Sequence, residues 1–292
     1  MTRAPGRLKE KVAIVTGGGR GIGRAIAIAL SGEGCAVVAA GRTPHETEET
    51  AGLIRGRSGA ALAVTADVSQ AADVEALVAR TVESLGHIDI LVNNAGIQGT
   101  IGPLVENDPV LWIQAIHVNL VGTFLCSRAV LPGMMKQRSG KIINLSGGGA
   151  TAPRPHFSAY AASKAAVVRL TECLAEEVRE YNIQVNAIAP GAVNTRMLRE
   201  VLAAGVQAGE KAISEAQRQM SNGGTPAERA AALAVFLASA ESECLTGKLI
   251  SAPHDAWETW DRERLSKLSS SPWFTLRRID PYTLEPLISK VP

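Results

Sequence analysis

The sequence has no charge of one sign to spare: 30 lysines and arginines against 28 aspartates and glutamates leave a formal net charge of +2 at pH 7. Nothing in that balance directs the chain to a polyanion, so neither nucleic acid nor an anionic membrane surface is expected as a partner. A local pair such as Arg277-Arg278 reads as solvated surface. Cysteine is scarce too. Cys35, Cys126, Cys173 and Cys244 lie far apart, with neither CxxC nor Cys/His ligand spacing, so no metal site is expected. The thiols read as small buried hydrophobes in a reducing cytoplasm. Long apolar runs are also missing. The opening MTRAPGRLKE has no apolar h-region, and no later stretch reads as uninterrupted and apolar for the ~20 residues of a membrane helix. Neither a signal peptide nor a membrane partner is expected.

What is present is enough to fold: 46% of the 292 residues are hydrophobic, which suffices for the core of one α/β domain. Short β-branched runs recur at Val12 to Thr16, Val37 to Ala40, Ala61 to Val64, Ile88 to Val92, Lys141 to Leu145, Ile183 to Ile188 and Lys248 to Ser251. Helical patterns separate them, at Ile22 to Ser31, Ala71 to Leu85, Pro109 to Lys136, Ser158 to Tyr181 and Pro226 to Ala238. That alternation predicts an α/β fold, a Rossmann-type doubly wound parallel sheet with helices on both faces. The strands need not alternate with polar residues, because both their faces are covered.

Two segments break the rhythm. Ala192 to Gly224 is helical in propensity without a strong apolar face, which suits a mobile cover over a site. From Pro253 onward comes a tail with Trp257, Trp260, Trp273, Phe274 and several prolines. Two readings of it stand: aromatics buried against their own or a neighbouring subunit, or a wall closing a cavity. The division expected is a single domain over residues 1–252 with a C-terminal extension over 253–292.

Directly after the first strand comes Thr16-Gly17-Gly18-Gly19-Arg20-Gly21-Ile22-Gly23, opening into a helix. Glycines there let the backbone turn tightly against a pyrophosphate, which the helix N-terminus then holds through its free N–H groups and dipole. Further along stand Asn93-Asn94-Ala95-Gly96, Tyr160-Ala161-Ala162-Ser163-Lys164 and Pro190-Gly191. These four motifs, in this order, resemble the short-chain dehydrogenase/reductase family over about Leu8 to Ser251. The resemblance implies nicotinamide chemistry on a small carbonyl or alcohol substrate, and homodimers or homotetramers built on the helices around Trp112 to Met135 and Ser158 to Tyr181. It also implies cofactor contacts from Gly17, Arg20, Gly21, Ile22, Gly23, Asn93, Tyr160, Lys164, Pro190, Val193 and Thr195, with Asp67 at the adenine edge. The competing role for Asp67 is a helix cap beside Ser69.

Cofactor choice is read from the end of the second strand, where an acidic residue would accept the ribose 2′-OH of NAD. That place is Ala40-Gly41-Arg42-Thr43. No carboxylate repels a 2′-phosphate, Arg42 offers it a planar fork, and Arg20 is within reach, so NADP(H) is expected.

Tyr160 and Lys164, four apart on a helix, share one face. A free phenol has a pKa of about 10, and a nearby ammonium favours its phenolate, so the pair reads as a tuned acid/base. The resemblance implies that Tyr160 protonates the forming alkoxide, that Lys164 holds the nicotinamide ribose, and that Asn119 anchors a water relaying protons to the lysine. The three-residue gap between Tyr160 and Lys164 suits carbonyl rather than enoyl reduction in this family. Its fourth catalytic member, a serine thirteen residues before the tyrosine, falls here on Gly147. Ser146 stands one position early, and neighbouring strand residues point to opposite faces, so its substitution calls for a local backbone change. Ser146, His156, Ser158 and a substrate hydroxyl are all candidates for the missing donor. The expected activity is NADP(H)-dependent ketone reduction or secondary-alcohol oxidation. The rival is a dinucleotide-binding regulator or scaffold that lost its chemistry with the serine.

Overall fold

A computed structural model describes residues 6–280 and Thr283. Seven strands form one parallel sheet: β1 (Val12–Thr16), β2 (Ala36–Gly41), β3 (Ala61–Thr65), β4 (Ile90–Asn93), β5 (Gly140–Leu145), β6 (Ile183–Ala189) and β7 (Leu249–Ser251), in the order β3-β2-β1-β4-β5-β6-β7. The connections are α1 (Gly21–Gly32), α2 (Pro44–Arg55), α3 (Ala71–Leu85), α4 (Pro109–Ile116), α5 (Gly122–Gln137), α6 (Ser158–Glu177), α7 (Arg196–Ala204), α8 (Glu210–Ser221) and α9 (Ala227–Ala238), and α10 (Arg262–Ser270) follows the last strand. The pleat explains why the strands are apolar throughout. Ala13, Val15, Val37, Val92 and Ile143 face one core with α1 and α9, while Ile14, Val38, Leu91 and Ile142 face the other with α3, α5 and α6.

Several expectations change. The helix foreseen over Pro109 to Lys136 is interrupted by one π turn, His117–Val121. Pro109–Gln137 is also, by length and composition, long and apolar enough to cross a membrane, contrary to the sequence reading. Its inner face packs against the sheet through Val118, Cys126, Val130 and Met134, whereas Val110, Leu111, Ile113 and Phe124 are exposed. Polar His117, Asn119 and Arg128 break the apolar run in sequence without breaking the helix, which is why the run was missed. Cys35 and Cys126 are buried, their thiols pushed up to about 12 by burial, but Cys173 and Cys244 are exposed, so only half the thiols behave as core residues. Residues 192–224 do carry a small apolar face: Leu198 and Val201 of α7 and Ala216 of α8 are buried against Phe157 and Tyr160.

The extension packs on its own domain. Trp257, Trp260, Leu265 and Leu268 are buried in the core of α1 and α9, with Trp257 5.6 Å from the ring of Phe236 and Trp260 5.3 Å from that of Phe274. It also reaches the sheet edge. The Leu249 N–H donates to the Phe274 carbonyl at 2.7 Å, and the Ser251 N–H to Asp255 Oδ2 at 2.6 Å. Most of residues 281–292, which complete the foreseen extension, lie outside the described residues.

Candidate active site

Strand order reverses between β1 and β4, and a crevice opens there at the carboxyl ends of the strands. The turn after β1 delivers the chain into α1 with Arg20 at the cap position, where its side chain makes no capping hydrogen bond. The N–H groups of the first turn are thus left for an anion. Two glycines shape the cradle. A Cβ on Gly23 would collide with the Gly17 carbonyl, and Gly21, at φ +54°, has only the Thr195 methyl, 3.6 Å away, above its missing side chain. Backbone brought this close, with open space over the turn, fits a dinucleotide pyrophosphate.

Two adjoining cavities of about 360 and 370 Å³ run from this turn. Asp67 lines the outer one, Gly21, Ile22, Gly23, Pro190 and Thr195 the inner one, and Gly17, Arg20 and Arg42 both. Asp67 does not cap α3, whose cap position is Gln70; its Oδ1 accepts locally from the Ser69 N–H at 2.9 Å and the Ser69 hydroxyl at 2.7 Å. Arg42 is half-exposed and 3.9 Å from the Asp67 carboxylate. Arg20 is less free than expected, being paired at 2.7 Å with Glu46 of α2, a cavity residue that sequence reasoning missed.

Two foreseen contacts stand elsewhere. The Asn93 side chain is buried behind the crevice, donating to Asn144 Oδ1 at 2.9 Å and to Ser127 Oγ at 3.1 Å. Its neighbour Asn94 lines the inner cavity instead, and its Nδ2 donates to the carbonyls of Thr16 at 2.9 Å and Gly17 at 3.1 Å, holding the glycine turn. Strand alternation was the available signal: only one of two successive asparagines faces the crevice. Val193 is outside the lining, its N–H donating to the Gly191 carbonyl at 3.1 Å.

The reacting end lies deeper. Tyr160 and Lys164 stand one turn apart on α6, both buried, with Lys164 Nζ 5.7 Å from the tyrosine ring centre and donating to the Leu145 carbonyl at 2.7 Å. Asn119 sits in the π turn, a distortion frequent at functional sites. Its Oδ1 accepts from the Ile97 N–H at 2.8 Å, and its Nδ2 donates to the Ile97 carbonyl at 3.0 Å and the Ser163 hydroxyl at 2.9 Å. Asn119 therefore braces the loop that carries Gly96 against α6. Burial pushes the Lys164 ammonium down to about 8 and pushes the Tyr160 phenol up, against a smaller lowering by the Arg154 guanidinium. This differs from the sequence expectation of a phenol lowered by its neighbouring ammonium: desolvation is the dominant influence on Tyr160, and Arg154, not Lys164, is the charge that opposes it.

At Gly147 the absent side chain has a physical counterpart, because a Cβ there would overlap the Tyr160 hydroxyl. The ladder continues undistorted through Ser146, whose N–H donates to the Ile188 carbonyl at 2.8 Å. Ser146 nonetheless lines the inner cavity with Tyr160 and Lys164. Ser146 Oγ is buried with no hydrogen-bond partner among the described residues. The other candidates have partners: Ser158 Oγ accepts from Trp112 Nε1 at 3.0 Å, and His156 Nδ1 meets the Gln207 carbonyl at 2.8 Å.

Comparison with known proteins agrees with this geometry. The profile of the short chain dehydrogenase family matches residues 11–205. The chain belongs to that family. It is 41% identical to the short-chain reductase protein NovJ of Streptomyces niveus over 244 residues, 83% of this chain and 92% of NovJ. Among solved structures it resembles an NAD+-bound xylitol dehydrogenase (TM-score 0.78, 28% identity, covering 84% of this chain and 98% of that one). It also resembles a variant of actinorhodin polyketide ketoreductase with NADPH (TM-score 0.77, 32% identity, covering 82% and 95%). This short chain dehydrogenase is thus an oxidoreductase of alcohols and ketones, from a family that works with a nicotinamide cofactor.

Proposed function

We propose that the protein interconverts a ketone and a secondary alcohol with NADP(H), and that Tyr160 is the general acid/base. The observation that carries this reading is a buried tyrosine next to Lys164 at the inner end of the nucleotide cleft, with Ser146 lining the same cavity. The nicotinamide supplies or accepts the hydride. In reduction Tyr160, kept protonated by burial, gives its proton to the carbonyl oxygen; in oxidation it takes the proton back. Ser146 offers that oxygen a second donor. Its unpartnered hydroxyl costs about 1–3 kcal/mol, which a substrate oxygen would offset. Lys164 orients the cofactor ribose, and Asn119 positions the helix that carries both residues.

The preference for NADP(H) over NAD(H) rests on Arg42 rather than on Arg20, whose guanidinium is shared with Glu46. We place a homo-oligomer contact on the exposed apolar residues of α4 and α5, the chain itself in the cytoplasm, and no nucleic acid or membrane among its partners. Light scattering on Phe124→Glu tests the contact: a wild-type oligomer that does not fall toward monomer refutes it. Replacing Tyr160 by Phe tests the chemistry. NADPH binding should survive and ketone turnover should drop at least ~10³-fold, whereas a variant as active as the wild type refutes the assignment.

A further inference from the structure

The loop after β5 brings a cation to the phenol. Arg154 Cζ lies 3.9 Å over the Phe157 ring and 5.7 Å from the Tyr160 ring centre. The glycines make room for both groups. The Tyr160 hydroxyl fills the side-chain place of Gly147, and Arg154 Nη1 lies 3.9 Å from the place of a Cβ on Gly148, the next residue. Consecutive Cα atoms are about 3.8 Å apart, so phenol and guanidinium flank the same short piece of backbone.

Arg154 differs from the other arginines around the site. Arg20 and Arg196 are paired with Glu46 and Glu200 at 2.7 and 3.1 Å. Arg154 is only partly exposed, yet its guanidinium makes no hydrogen bond or ion pair among the described residues; Glu215 of α8 acts on it only through space. A guanidinium withdrawn from water with its fork of donors unfilled is costly unless an anion meets it.

We propose that Arg154 binds the substrate, and that the substrate is an anionic carbonyl compound with its carboxylate on the α or β carbon, where the fork can hold it while Tyr160 faces the carbonyl oxygen. This rests on carbonyl reduction at Tyr160 and adds the substrate class. It accounts for Gly147, where a side chain would displace the phenol.

The test compares a 3-oxo acid with its methyl ester, using NADPH and the full chain. The wild type should favour the acid at least about 10-fold in kcat/KM. Arg154→Gln should lose about 10- to 100-fold on the acid, mostly in KM, and under about 3-fold on the ester; Arg154→Lys should fall between, keeping the charge without the fork. Equal losses on both substrates, or no acid preference in the wild type, overturn the proposal while leaving ester reduction, and with it the reading of Tyr160, intact. Malonate serves as a probe that needs no turnover. With NADP+ present it should raise the wild-type melting temperature and not that of either variant. If neither substrate is turned over, carbonyl reduction is in doubt, and the malonate shift alone decides whether Arg154 holds a carboxylate, its absence overturning the proposal. Should Arg154→Gln fail to fold, Arg154→Lys carries the comparison, and a lysine variant with unchanged acid kinetics refutes it.

Discussion

The hydroxyl of Tyr160 occupies the volume that a side chain on Gly147 would need. The missing serine is therefore not a gap that a serine can refill. Gly147→Ser should lower turnover at least ~10-fold by displacing the phenol, and Ser146→Ala should cost on the order of 10² in kcat by removing the second oxyanion donor. Steady-state kinetics with a reducible ketone checks both, and a Gly147→Ser enzyme faster than the wild type would contradict the arrangement.

The proposed preference for NADP(H) rests on Arg42, with Arg20 held by Glu46. Arg42→Asp should move the NADPH/NADH ratio of kcat/KM at least ~10-fold toward NADH. Glu46→Gln releases Arg20 from its 2.7 Å ion pair and should move the ratio the other way. Ratios unchanged in both variants would remove the 2′-phosphate site from this end of the cleft.

Away from the site, Lys141 has a buried ammonium with no hydrogen-bond partner among the described residues, and burial holds it at about 8 against the usual 10.5. The unfolded chain keeps this proton more tightly, so the penalty on folding is full below about pH 8 and disappears as pH rises to 10.5. Lys141→Met should stabilise the protein at pH 7 by on the order of 1–3 kcal/mol, with most of that gain gone by about pH 10. Urea midpoints at the two pH values check it; an equal gain at both would mean that packing, not charge, is responsible.

The aromatic extension invites a stability test. Trp260 is buried between the core and Phe274, and Trp260→Ala should cost about 3–5 kcal/mol in chemical denaturation. A loss under about 1 kcal/mol would show that residues beyond Pro253 are not part of the cooperative unit.

The sheet was legible because its strands are apolar at every position, a signal that survives ignorance of tertiary contacts. Helix α2 was not, because its buried side is Thr47, Thr50, Ala51 and Ile54, and only two of these are apolar. In the site, Tyr160 and Lys164 could be placed together from their spacing, whereas Asn119 was pointed to only by the family resemblance. The roles of Asn94, Glu46 and Arg154 depend on which way a strand faces or on partners far along the chain: Arg20 and Glu46 are 26 residues apart. Ser146 fell between these cases. Alternation alone does not say that the Tyr160 hydroxyl occupies the space a side chain on Gly147 would need.

The hydrogen bonds from β7 to Phe274 and Asp255 give the two flanks of the molecule different fates. A terminal strand normally offers its outward N–H groups to any passing strand, the usual start of edge-to-edge aggregation. Here Leu249 and Ser251 have already spent theirs within the chain. Growth of the sheet past β7 is closed from within, so a strand-seeking peptide finds no template on that side.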